Sequence, residues 1–324
     1  MSSQEQKVKV GVIGAGALGK HHVRLYSGCP QADLVGVYDP DPKAVAAIAD
    51  EVDVKIYGAM QDLLNDVDGV SVAVPTNLHY DIVKEVLSND RHVLVEKPIT
   101  DDVGQAEELV ELAVERGLVL NVGHVERYNP VLSSLDDVEG EPRFIEGHRL
   151  APYPPARPGK HPRGTEVSVV LDLMIHDLDV VLELVQSPVK RLEAVGVPIL
   201  SATSDLANAR IVFENQCVAN LTSSRVSADK MRKVRVFKPN AYLSLDYGNL
   251  CGDIAYQEGG EIKRHSVPVH ETNALEAELK EFCDCVSNAK VAGELRECKT
   301  SGEKGLAALR LAQQVMDSMD NVAG

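Results

Sequence analysis

The sequence predicts an α/β protein of two domains: a doubly wound parallel sheet, then an α+β domain with a large, mostly antiparallel open sheet. Three observations carry this. The 324 residues are about twice the usual 100–200 of one domain. Residues 7–122 alternate short valine-rich runs with helical stretches. From Arg143 onward, strand-like runs follow one another with few helices between them.

In the first part, Lys7–Ile13, Leu34–Tyr38, Gly69–Val74, His92–Val95 and Leu118–Val122 are rich in valine and, apart from Lys9 in the first, free of internal charge. Strands buried on both faces of a parallel sheet read this way. Helical stretches separate them, among them Pro42–Glu51, Asn77–Ser88 and Val103–Arg116. In the last, Val103, Ala106, Val110, Ala113 and Val114 recur at helical spacing, and Gly117 is placed to end the helix. Such β–α alternation implies right-handed crossovers.

After Gly123 the rhythm changes. Arg143–Leu150, Val189–Val197, Ala207–Phe213, Cys217–Ser224, Arg232–Phe237, Ala241–Leu245 and Ile262–Val267 read as strands of an antiparallel sheet. A long apolar helix is predicted over Glu166–Val185, with two more near Asn273–Ser287 and Glu303–Met319. Ala151–Gly164, crowded with proline, is a loop. The domains are drawn as 1–122 and 123–324, with the last helix free to pack back on the first domain.

Composition narrows the function. Lys+Arg number 33 against 49 Asp+Glu, a formal charge of −16. So acidic a chain repels phosphate backbones and anionic lipid, which argues against nucleic-acid and membrane partners. No apolar run approaches the roughly 20 residues of a spanning helix, and the polar Met1–Lys7 has no signal-peptide core. A cytoplasmic location is expected. The six cysteines are too sparse for a disulfide scaffold, and Cys283 and Cys285 have no partner pair at zinc-site spacing. They read as reduced, buried thiols, and no metal site is expected.

The first strand runs into Gly14-Ala15-Gly16-Ala17-Leu18-Gly19, a G-x-G-x-x-G that enters a helix. The first glycine permits the tight turn, the second lets backbone approach a pyrophosphate, and the third lets helix pack on strand. Helix N–H groups then hold phosphate. The second strand ends at Asp39, at the offset expected of the acid that binds an adenosine ribose. Its carboxylate accepts from the ribose hydroxyls and repels a 2′-phosphate, so NAD is the expected cofactor and the first domain is of the Rossmann kind. A plain turn role before Pro40 is the alternative for Asp39.

Further motifs follow in order. Val95-Glu96-Lys97-Pro98 closes a strand at the edge where doubly wound sheets bind ligands. Pro75-Thr76-Asn77-Leu78-His79 follows the strand before it, and Asp172-Leu173-Met174-Ile175-His176-Asp177 lies in the long helix. With the glycine turn, these make the chain resemble the Gfo/Idh/MocA family of nicotinamide-dependent sugar and polyol oxidoreductases. The resemblance implies that Lys97 touches both nicotinamide and the reacting hydroxyl, that His176 is the general acid/base, and that Asp172 is its partner. It also implies cofactor contacts from Pro75, Thr76, Asn77, His79, Glu96 and Lys97. The residues support the pair independently. Asp172 and His176, four apart, share a helix face, on a helix apolar enough to be buried. A carboxylate beside an imidazole raises its basicity and orients the ring. Lys97 and His176 both stay open as the formal base.

Cations cluster in two stretches of this acidic chain: Arg143, Arg149, Arg157, Lys160 and Arg163 in the first, and Arg225, Lys230, Arg232, Lys233, Arg235 and Lys238 in the second. They are expected to position an anion, with Arg163 and Arg225 on a diphosphate. His124-Val125-Glu126-Arg127-Tyr128-Asn129-Pro130 and Gly164-Thr165-Glu166 are similar to a branch of that family, the UDP-N-acetylglucosamine 3-dehydrogenases. His124, Glu126, Arg127 and Asn129 become candidate sugar contacts. The expected function is an NAD-dependent sugar dehydrogenase acting on a UDP-sugar; the alternatives are a free-sugar or inositol dehydrogenase and a non-catalytic NAD-binding regulator. An open sheet usually becomes a subunit interface, so a homodimer or homotetramer is expected.

Overall fold

Buried β-branched runs build the first sheet. The computed structural model describes residues 7–135, 138–156, 162, 164–267, 272–292 and 295–320. Strands β1 (Val8–Ile13), β2 (Ala32–Tyr38), β3 (Gly69–Val72), β4 (His92–Glu96) and β5 (Leu120–Gly123) are parallel, in the order β2-β1-β3-β4-β5. Helices α1 (Gly19–Gly28), α2 (Pro42–Ala49), α3 (Met60–Asp66), α4 (His79–Ser88) and α5 (Val103–Arg116) connect them. Local chemistry sets their ends. Asp41 caps α2 by accepting from the Lys43 N–H, Asp102 caps α5 through Gln105, and Gly117 closes α5 in the left-handed region at φ 63°. Because strand order reverses beside β1, ligands of such a sheet bind beyond the carboxyl ends of the strands there.

The second sheet takes the order β13-β12-β11-β10-β6-β9-β8-β7. Its strands are β6 (Phe144–Leu150), β7 (Val189–Val197), β8 (Leu206–Phe213), β9 (Val218–Ser224), β10 (Met231–Lys238), β11 (Ala241–Asp246), β12 (Cys251–Glu258) and β13 (Glu261–Ser266). Neighbours are antiparallel except β6 and β9. Period-two burial marks the covered face: Ile145, Ala209, Ile211, Leu221, Val234, Val236 and Leu243 are all buried. On the other face Phe144, Phe237 and Tyr242 stack, with ring centroids 5.7 and 4.9 Å apart. β12 escapes the sequence pattern because only Gly252 and Ile254 of its eight residues are buried.

The long apolar stretch holds a surprise. It begins at Val170 rather than Glu166, with a π-helical turn over Val170–Met174, and becomes regular only as α6 (Ile175–Val185). Two more helices follow, α7 (Ala274–Ala292) and α8 (Gly302–Asp320). No helix of the described residues is long and apolar enough to cross a membrane.

The chain divides into two units, 1–128 with 273–306, and 129–272 with 307–324. The sequence boundary at 122/123 therefore moves to 128/129, and α7 returns to the first unit together with the start of the last helix, as far as Leu306. Leu279, Phe282, Cys283 and Val286 of α7 enter one apolar cluster with Val10, Val12 and Leu94, and burial of that helix face is the reason. The reduced-thiol expectation is corrected too. Cys285 is disulfide-bonded to Cys298, which follows it on the segment leading to α8, and Cys251 is a free, exposed thiol.

Candidate active site

In the first unit the expected cofactor residues gather at the carboxyl edge of the sheet. Gly14 has φ +97°, and a Cβ there would lie 2.5 Å from the Ala73 carbonyl oxygen. A Cβ on Gly16 would meet nothing within 4 Å. Packing within the protein therefore does not demand glycine at 16; open space there fits a ligand that approaches the bare backbone. Asp39, at the end of β2, accepts from the Ala15 N–H at 2.7 Å and from the Asp41 N–H at 2.8 Å. It thus serves the turn and stands beside the glycine loop. These residues fit a dinucleotide: Gly14–Gly19 for the pyrophosphate, Asp39 for the ribose. Asp39→Ala is expected to weaken NAD binding and relax discrimination against NADP. Titration with both cofactors checks this, and an unmodified protein that prefers NADP would contradict it.

Beyond β3, Thr76–Leu78 forms one 3-10 turn, with Pro75 and Asn77 exposed. His79 turns inward instead. At 1% exposure, its Nδ1 faces the Pro98 carbonyl at 2.8 Å and its Nε2 the Val74 carbonyl at 3.0 Å. It ties the loop after β3 to the one after β4, so its predicted cofactor contact gives way to a packing role. Burial holds its pKa below the ordinary value against the pull of those carbonyls.

Glu96 is likewise turned into the protein. Its Oε1 meets Nε2 of His22 on α1 at 3.0 Å, with side-chain exposures of 11% and 1%. Burial pushes the Glu96 carboxyl up, but the His22 hydrogen bond and the charges of His22 and Lys97 outweigh it and hold the group below its usual range. Sequence reasoning missed His22. The signal was present, since Gly19, His22, Val23 and Tyr26 form the buried stripe of α1. Lys97 follows, half-buried, at the end of β4. His124 and Glu126 are buried at the end of β5, and Val125–Tyr128 form a 3-10 turn that includes Arg127.

In the second unit, Asn129 accepts from the Val131 N–H at 3.2 Å and is 8% exposed, so it caps a turn. Asp172 lies within the π turn and His176 on the first turn of α6, both half-buried. The four-residue spacing was read on α-helical geometry; the wider turn changes that registration, and π turns recur at functional sites. Gly164, at φ +81°, faces the Asp172 carboxylate: a Cβ on it would be 2.5 Å from Oδ2.

The basic stretches are largely consumed internally. Arg149 forms a bidentate pair with Asp177, Nε to Oδ2 at 3.0 Å and Nη2 to Oδ1 at 2.9 Å. Arg235 pairs with Glu146 at 2.6 Å, Lys233 with Asp246 at 3.3 Å, and Lys238 donates to the Leu135 carbonyl at 2.9 Å. Arg225 is 2% exposed and bonded to Asp205, which corrects its assignment to a diphosphate. Arg157, Lys160 and Arg163 lie outside the described residues.

Residues 8–124 match the model of an oxidoreductase family with an NAD-binding Rossmann fold, and residues 136–242 match the GFO/IDH/MocA C-terminal domain. The chain belongs to the Gfo/Idh/MocA family. It is an NAD-binding oxidoreductase of that family. It is 34% identical over 287 residues to a UDP-N-acetylglucosamine 3-dehydrogenase of Acidithiobacillus ferrooxidans, covering 86% of this chain and 89% of the relative. A solved structure of that enzyme superposes with a TM-score of 0.88 at 33% identity, over 98% of this chain and 99% of the other. The scyllo-inositol 2-dehydrogenase (NAD(+)) of Bacillus subtilis is 27% identical over 308 residues, 88% of each chain. A levoglucosan dehydrogenase in complex with NADH shares the fold, with a TM-score of 0.84, 15% identity and 98% coverage of both chains.

Proposed function

We propose that this chain is an NAD-dependent dehydrogenase of a UDP-linked sugar, with UDP-N-acetylglucosamine oxidised at C3 as its reaction. The observation that carries the reading is the similarity over nearly the full length to the Acidithiobacillus enzyme of that name. The charge argument no longer supports a diphosphate by itself, because most of the described cations in the two basic stretches have internal partners.

Bound NAD supplies the acceptor for the hydride that leaves the carbinol carbon. Gly14 to Gly19 and Asp39 hold it, with Pro75, Thr76 and Asn77 on the neighbouring loop. Lys97 donates a hydrogen bond to the reacting hydroxyl oxygen and stabilises the negative charge that develops there. His176 takes the hydroxyl proton, and Asp172 orients the imidazole and favours its protonated form. Histidine suits this step because its ordinary pKa of about 6.5 lies near working pH. Glu96, held by His22, keeps the strand end before Lys97 in place. His124, Glu126, Arg127 and Arg163 are the proposed sugar and phosphate contacts. The reaction belongs in the cytoplasm, where its cofactor and activated sugar are found. The exposed aromatic face of the second sheet, with Phe237 36% exposed, is the proposed surface of a homodimer or homotetramer.

An NADH assay across UDP-sugars, free hexoses and inositols tests the reading, with NMR of the product to identify the oxidised carbon. UDP-N-acetylglucosamine is expected to turn over best, and UDP alone to compete. Equal turnover of free inositol without inhibition by UDP would instead favour the inositol reading that the Bacillus relative represents.

A further inference from the structure

We infer that Arg225 is a positioning residue for Asp172 and His176, and that it acts through the backbone of Gly164. The inference rests on the reading above in which His176 moves the hydroxyl proton. Arg225, the residue after β9, is buried together with its counter-ion Asp205, at 2% and 0% exposure. Its Nε donates to Asp205 Oδ1 at 2.8 Å. Nη1 reaches the carbonyls of Gly164 at 2.5 Å and Val167 at 2.9 Å. Nη2 reaches Thr203 Oγ1 at 2.7 Å, with Ser201 Oγ and the Ser204 carbonyl each at 3.1 Å. All three guanidinium nitrogens are engaged by protein acceptors, so the planar fork is spent on its surroundings.

Asp205 completes the clip. Its Oδ2 collects the successive N–H groups of Ile199, Leu200 and Ser201 at 2.5–2.9 Å, and its Oδ1 the Ser201 hydroxyl at 2.6 Å. Burial opposes the charge, but the Ser201 and Arg225 hydrogen bonds and the backbone donors win and hold the carboxyl well below its usual range. One ion pair therefore fastens the loop 199–205 to the segment 164–167. Thr203 adds a hydrogen bond to the Val167 carbonyl at 2.9 Å, and the Val169 N–H reaches the Ser204 carbonyl at 2.9 Å, just ahead of the π turn.

The link to chemistry is Gly164. Its left-handed φ of +81° presents a bare Cα to Asp172, where a Cβ would fall 2.5 Å from Oδ2 and 2.8 Å from Cγ. The Asp172 carboxylate is thus seated against the very residue whose carbonyl Arg225 holds. A buried ion pair is weak evidence for stability, because well-packed apolar residues often do as well. What a guanidinium adds is a rigid fork that fixes several oxygens at set angles. Here those oxygens define where Asp172 rests, and with it the direction of the imidazole on the next turn.

The test compares Arg225→Met, Arg225→Lys and Gly164→Ala with the unchanged enzyme, using UDP-N-acetylglucosamine and NAD. In Arg225→Met, kcat is expected to fall by on the order of 10²-fold, the cost of a displacement of about 1 Å in a catalytic group. KM and the inhibition constant of UDP should barely change, and the acidic limb of the kcat–pH profile should move. Gly164→Ala should reproduce that movement with the ion pair intact. Arg225→Lys retains the charge but not the fork and should show the same defect, which covers the case in which the methionine variant does not fold. A rise in KM and in the UDP inhibition constant at unchanged kcat would return Arg225 to the diphosphate and overturn the inference. So would a lower melting temperature with kcat and pH profile preserved. His176→Ala serves as the control: full turnover there removes the underlying reading, whereas an inactive His176→Ala beside fully active Arg225 and Gly164 variants removes this inference alone.

Discussion

His176→Ala is expected to lower kcat by on the order of 10²–10⁴, the usual cost of losing a positioned general acid–base, while NAD binding stays intact. The separation follows from the structure. His176 stands on the first turn of α6 in the second unit, whereas the glycine turn and Asp39 belong to the first. Lys97→Ala should cost a similar factor, because a lysine at the reacting oxygen acts most strongly as charge develops there. The two losses should not add. Groups that act on one proton titrate and fail as a unit, so under the proposed mechanism the double variant should be little slower than the worse single one. The chain has no tryptophan, so the fluorescence of NADH itself can report binding without interference. Near-full turnover in His176→Ala would reassign the base to Lys97.

A large effect on stability is expected at Arg149. Removing its side chain in Arg149→Met leaves the Asp177 carboxylate, 7% exposed, without its bidentate partner. Breaking a buried pair from one side costs about 3–5 kcal/mol, against a total stability on the order of 5–15 kcal/mol for a typical domain. Arg149→Met/Asp177→Leu should recover most of that loss, since it removes the stranded charge along with the pair. Urea unfolding followed by circular dichroism reads both. A double variant as unstable as the single would mean that the arginine stem, not the uncompensated carboxylate, sets the cost.

How legible this was in the sequence depended on whether the signal was local. The glycine turn, Asp39 and the buried valine strands are neighbours along the chain, and the structure puts them where period and spacing imply. Arg225 and Arg149 looked like free cations because their partners, Asp205 and Asp177, are 20 and 28 residues away, and nothing in a linear sequence shows which carboxylate a sheet register brings opposite. The π turn at Asp172 was hidden for a different reason: hydrophobic spacing over five residues does not separate 3.6 from 4.4 residues per turn. His79 was misread because a buried imidazole between two carbonyls and one facing a ligand occupy the same position in the motif. The return of α7 to the first unit depends on packing between distant segments, such as Phe282 with Val10, where composition carries no information.

That returning helix makes the first unit a discontinuous object. Phe282 and Val286 fill the same core as Val10 and Val12, so a ribosome that has released only the first 128 residues has produced a sheet with part of one side uncovered. The nucleotide end of this protein must wait for almost the entire chain before it closes. An expression clone stopped after Tyr128 is therefore expected to yield aggregate rather than a small cofactor-binding module. A chimera that borrows this unit must carry both of its segments across, with the foreign domain spliced in between them.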